Sequence, residues 1–165
     1  MPFCEADPWR MQYFEGVACP REVCIPTEDA DGYQWNPAHR WVYNKLAVAQ
    51  SQGLACAPHG LCPPGFPVFS KPIINLRGMA VGSRVLPDRA HYERHKTPGH
   101  FWMTLLEGEH VSTDLALQQG QVQWLRHSLG TPAGGGTFDY WTIEAAARAL
   151  LEEHLGAWVT QHLAT

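Results

Sequence analysis

FPVFSKPIINLRGM, residues 66–79, opens as a buried strand and closes as a loop. Four of its first five residues are apolar or proline, which suits a strand inside a sheet. Lys71 then stands at the strand's end, before Pro72 and a loop carrying Gly78. Two readings of that cation stay open on these residues alone. Lys71 guards a strand edge against pairing with another chain. Alternatively it reaches a phosphate together with the loop of Gly78, Gly82 and Ser83, whose small residues let backbone N–H groups approach an anion closely.

Upstream, NPAHRWVYNKLAVAQSQG spans residues 36–53. Asn36 suits an N-cap, Pro37 the first helical position and Gly53 the residue past the end, so the pattern predicts a helix over 38–52. Trp41, Val42, Leu46, Val48 and Ala49 form its apolar stripe. Lys45 interrupts the stripe, four residues from both Trp41 and Ala49. Either its stem lies along apolar surface and the amine snorkels to water, or the amine points at an anion. Residues 1–36, rich in Pro, Asp and Cys, read as an irregular N-terminal segment with one or two short strands.

Downstream, the periodicity predicts strands over 66–71, 81–86, 101–106, 109–118 and 121–128, with a short helix at DRAHYERH. Gln119 and Gly120 make the turn of an antiparallel pair. Within 109–118, Val111, Thr113, Leu115 and Leu117 share one face; His110, Ser112, Asp114 and Ala116 share the other. TPAGGG reads as a loop and TFDYWTI as the last strand. A final helix over 144–163 has Ile143, Ala147, Leu150, Leu151, Leu155, Trp158, Val159 and Leu163 on its buried side. Such a helix packs on a sheet, so the fold class is mixed α+β.

The totals narrow the function classes. At 165 residues the chain makes one domain or two small lobes. A 45% hydrophobic content with 17% charged residues describes a globular chain rather than a disordered one. Twelve basic residues face sixteen acidic ones, and no tail or face is dense in Lys and Arg, so the footprint of a nucleic-acid binder is missing. No apolar run has the length of a membrane span. The start, MPFCEADPWR, lacks the pattern of a secretory signal. The expectation is a cytoplasmic protein whose five cysteines stay reduced.

The serial order of these motifs resembles the ATP-grasp superfamily over roughly residues 36–143. There a helix with an Asp-Lys pair precedes a strand like fPvivKP, then a glycine-rich loop and a hinge strand like vqefieGeeysvDv. The resemblance implies an ATP-grasp-like region over 37–165, with mixed or antiparallel sheets flanked by helices and a hinge near 103–108. It implies ATP as cofactor. Lys45 and Lys71 would grip its phosphates, the backbone of Met103, Thr104, Leu105 and Leu106 would meet the base, and Ile73 or Leu105 would pack on the base. Glu109 and His110 fall where the family's acidic residue meets the ribose. Asn44 replaces the family's usual Asp, and the phosphate loop carries fewer glycines. The family's later strand, like fiEvNpR, brings Mg²⁺ ligands and has no counterpart here, so the chain looks truncated, with an incomplete C-terminal lobe. Asp114 and Asp139 are the remaining candidates for Mg²⁺.

By this resemblance the chain is part of an ATP-dependent ligase that joins a small carboxylate to an amine or thiol through an acyl phosphate, inactive by itself. Self-association or a partner chain would cover the last helix. The rival expectation is a binding module without chemistry, either a nucleotide-binding remnant or a small zinc protein. Cys56, His59 and Cys62 in CAPHGLC carry zinc-ligand chemistry, with Cys19 or Cys24 as a fourth ligand. His91 and His95 stand one helical turn apart, near His100; a solvated polar face is the alternative to a metal. No G-x-S-x-G nucleophile elbow is present.

Overall fold

Asn44 divides what the apolar periodicity presents as one helix. The computed structural model describes residues 3–4, 7–12, 16, 25–76, 80–118, 121–134 and 137–163. Strand β1 (Phe3–Cys4) pairs in parallel with β2 (Ile25–Pro26), and helices α1 (Pro8–Met11) and α2 (Asp29–Trp35) lie in the segment expected to be irregular. Asp7 caps α1 by accepting from the Trp9 N–H. A 3₁₀ helix, Pro37–Tyr43, then leads to α3 (Lys45–Ser51). Between them Asn44 is extended, and its Oδ1 accepts from the Ala47 N–H at 3.0 Å. That capping bond competes with continuous helix, which is why the expected helix over 38–52 is broken. Asn44→Ala is expected to cost about 1 kcal/mol of stability in urea unfolding.

The chain forms two compact units, Met1–Leu105 and Leu106–Thr165. In the first, β3 (Cys56–Pro58), β4 (Val68–Pro72), β5 (Arg84–Leu86) and β6 (His100–Thr104) form a sheet in the order β3-β6-β4-β5, with antiparallel neighbours throughout. Helix α4 (Arg89–His95) precedes β6. Alternation sorts the side chains into two cores. Val68, Leu86 and Trp102 cluster with Tyr92 of α4, while Phe101 and Met103 cluster with Ala49 of α3. The sheet therefore lies between α3 and α4. Tyr92 also ties down the loop before β4: its hydroxyl accepts from the Gly60 N–H at 2.9 Å and donates to the Leu61 carbonyl at 3.1 Å.

Residues 56–58, outside the strands that the sequence predicts, form strand β3 because β6 offers them a free edge. The strand expected over 81–86 is confined to Arg84–Leu86, since Gly82 turns the chain at φ +80° and the Ser83 N–H bonds to the Ala80 carbonyl.

The second unit is the antiparallel sheet β7 (Val111–Gln118), β8 (Gln121–Gly134), β9 (Thr137–Ile143), in that order, followed by α5 (Ala149–Leu163). The turn at Gln119–Gly120 lies outside the described residues. Thr131–Gly134, expected to be loop, continue β8 by pairing with β9. Helix α5 begins five residues later than expected. The Glu144 N–H bonds to the His127 carbonyl, and Glu152 Oε1 accepts the Arg148 N–H at 3.0 Å. Those bonds hold residues 144–148 out of the helix. The expected buried face is corrected accordingly: Val159 is buried, but Ile143 ends an edge strand 71% exposed and Leu150 is 85% exposed. Among the described residues, no helix is long and apolar enough to cross a membrane.

Candidate phosphate site

The site is built where α3 meets the end of β4. The Lys45 N–H donates to the Ile73 carbonyl at 2.8 Å, which fastens the start of α3 just beyond the strand. On β4 the alternation sends Phe69 and Lys71 to the α3 side, while Val68 and Ser70 take the α4 side. Lys71 pairs in register with Phe101, and its Nζ stands 5.6 Å from the centre of that ring. Burial lowers the pKa of the Lys71 amine, and the nearby charge of Lys45 lowers it further. Among the described residues no carboxylate forms an ion pair with either lysine. A half-buried ammonium with a second cation near enough to lower its pKa, and with no counter-ion among the described residues, favours a bound anion.

Gly78 lies outside the described residues. Gly82 closes the loop onto the end of β4. A Cβ there would meet His100 Nε2 at 3.1 Å and Pro72 Cγ at 3.3 Å. With φ at +80°, glycine suits this position on both counts. Ile73 packs against the Ala49, Phe101 and Met103 cluster.

The other expected binding residues are placed less simply. Met103 is buried in the sheet between Cys56 of β3 and Phe69 of β4. Thr104 gives its N–H to the Ala55 carbonyl at 3.0 Å. Leu105 and Leu106 stand beyond the strand ladder, on either side of the boundary between units. In the second unit Glu109 takes Arg148 Nη1 at 3.1 Å. The His110 ring packs 4.5 Å from Phe138 and 5.6 Å from Trp141, centre to centre. Both residues are thus occupied by partners within their own unit. Asp114 lies on β7, opposite Arg126, and Asp139 on β9; β8 separates the two strands by about 10 Å across the sheet. Mg²⁺ demands oxygens near 2.1 Å, so these two carboxylates do not fit one ion.

Of the zinc candidates, His59 is used otherwise. The Thr97 N–H donates to His59 Nδ1 at 2.8 Å, which leaves the proton of the neutral ring on Nε2, 3.0 Å from Ser70 Oγ. Burial and the neighbouring His100 push the His59 pKa down, and burial pushes the Cys56 thiol up. Cys62 is exposed, and Cys19 and Cys24 lie outside the described residues. His91 faces Asp88 at 2.8 Å, and His95 Nδ1 accepts from Arg84 at 3.0 Å. Among the described residues no group of three or more His, Cys, Asp or Glu could hold a metal ion.

A polar centre in the second unit escaped the sequence reading. His127 is 2% exposed; Thr113 Oγ1 lies 2.9 Å from Nδ1 and Glu152 Oε1 3.1 Å from Nε2. A cavity of about 140 Å³, lined by His127, Glu144 and Glu152 among others, lies beside it. The available signal was a histidine at an inward position of QVQWLRHSL, between Leu125 and Leu129.

In fold the chain is ATP-grasp-like. It is similar to the L-amino acid ligase from Bacillus licheniformis, an ATP-grasp enzyme, with a TM-score of 0.59 and 16% identity over 94% of this chain and 45% of that one. The D-alanine–D-alanine ligase from Helicobacter pylori also matches, at a TM-score of 0.41 and 14% identity over 83% of this chain and 53% of that one. The chain thus spans about half the length of these solved ligases. No protein-family model matches the sequence, and no curated protein does.

Proposed function

We infer that this chain binds the phosphates of ATP through Lys45 and Lys71, as the nucleotide-binding part of a carboxylate–amine or carboxylate–thiol ligase. The carrying observation is the pair of lysines on one side of the first unit's sheet, tied by the Lys45–Ile73 backbone bond and without an ion-paired carboxylate among the described residues. The fold supports the same reading. Ligation needs activation, because hydroxide is a poor leaving group; conversion to an acyl phosphate would supply a good one. The chain's part would be positioning and charge neutralisation. Of the expected backbone contacts to a base, Leu105 is favoured over Met103 and Thr104, which the sheet already uses.

Asp114 and Asp139 do not gather, so the chain by itself is read as a nucleotide binder without turnover. Purified chain with ATP, Mg²⁺, carboxylic acids and amines is expected to release ADP at the rate of the enzyme-free blank. Titration calorimetry tests the binding. Lys71→Ala is expected to weaken ATP binding by more than about 1 kcal/mol, as for a lost hydrogen bond to a charged group. Lys96→Ala should leave it unchanged, since Lys96 is paired with Glu93 at 2.6 Å. Equal affinity in wild type and Lys71→Ala would overturn the phosphate role.

A further inference from the structure

We propose that Lys71 is a site of covalent acylation by acyl phosphates, with Lys45 drawing in the phosphate end of the reagent. This rests on the phosphate reading of the same two lysines. The chain has three lysines, Lys45, Lys71 and Lys96, and the structure gives them unlike surroundings. Lys96 is exposed just past the end of α4, and its ion pair with Glu93 holds it protonated by raising its pKa. Lys71 is partly buried over the Phe101 ring, on the side of the sheet where α3 delivers Lys45. A ring face is a weak partner for an ammonium compared with a carboxylate. Burial and a second cation favour the free amine, the condition that makes a lysine nucleophilic.

An acyl phosphate meets both features of the site. Its phosphate is an anion for Lys45, and its carbonyl is an electrophile for Lys71. The Lys71 Nζ lone pair forms a bond to the carbonyl carbon. The bond from that carbon to the phosphate oxygen breaks, and inorganic phosphate leaves with the electron pair. The amine's proton passes to the departing phosphate or to water. The product is a neutral amide at Lys71, so acylation removes one of the two cations. An activated acyl group that escapes ligation would therefore disable the phosphate site, a form of regulation by misdirected product.

The test treats the full chain with acetyl phosphate or, separately, with the uncharged N-hydroxysuccinimidyl acetate, then maps acetyl groups by chymotryptic digestion and mass spectrometry. With acetyl phosphate, Lys71 is expected to react roughly tenfold or more faster than Lys96, in line with an activated amine. With the uncharged ester the preference is expected to be several-fold smaller. Lys45→Gln should slow Lys71 acetylation by acetyl phosphate several-fold, while Lys45→Arg retains it. Circular dichroism and Lys96 labelling by the ester verify that the variants fold. No preference for Lys71 over Lys96 with acetyl phosphate would overturn the proposal, as would equal preference with both reagents or an unchanged rate in Lys45→Gln. Protection of Lys71 from the uncharged ester by ATP reads the phosphate site independently. Protection without acetyl phosphate selectivity would sink the acylation proposal alone; neither protection nor selectivity would sink both.

Discussion

Phe101→Ala is expected to destabilise the first unit by about 3–5 kcal/mol, the usual cost of emptying a buried aromatic site. Phe101 is fully buried on β6, a central strand of the four-stranded sheet. It joins Met103 and Ala49 in the core beneath α3 and lies under the Lys71 ammonium. Its loss opens a cavity in a place that two strands and a helix hold apart, so little collapse can fill it. Urea unfolding followed by tryptophan fluorescence gives the size, and amide hydrogen exchange should assign the loss to residues 37–105. ATP binding should fall with it, while Phe101→Leu retains most of both. A destabilisation below about 1 kcal/mol would show that this core is not packed as described.

The second large effect is expected at His127. His127→Ala removes a ring that bridges β7, β8 and α5, and leaves the Thr113 hydroxyl without its partner. Lost packing and an unsatisfied hydroxyl together should cost roughly 2 kcal/mol or more. Hydrogen exchange should place that loss within residues 106–165. The same cluster predicts acid lability. The Glu152 carboxyl is held below the ordinary value of 4.5 by the Arg148 N–H first and by the His127 hydrogen bond second. The Arg148 guanidinium does the same for Glu144. Folding lowers these pKa values, so their stabilisation is complete above about 4.5 and disappears as pH falls through the lower, folded values. The unit should lose stability progressively on acidification below pH 4.5, and Glu152→Gln should flatten that dependence. Identical acid profiles for wild type and Glu152→Gln would count against the cluster.

Local sequence determined a good deal here. Apolar runs marked β4 and β6, the turn residues Gln119 and Gly120 announced β8, and period-two alternation marked β7, because burial of one sheet face leaves its imprint on every second residue. The serial order of a helix with Lys45, a strand ending in Lys71, a glycine-bearing loop and a hinge-like strand pointed to the ATP-grasp-like architecture. Two cations at otherwise apolar positions stood out for the same reason, since a charge within a buried stripe needs compensation. What a stripe cannot report is the identity of the group across from it. Only tertiary structure decided that Asn44 caps α3 and breaks the helix, that Cys56–Pro58 find an edge on β6, and that Glu152 delays α5 until Ala149. It also decided that Glu109 belongs to Arg148 and His59 to Thr97 and Ser70. These are hydrogen bonds and charges between residues distant in the chain or in rival local conformations. Each side chain carries its donors and acceptors in the sequence, but which of them meet is set when the sheets and helices pack.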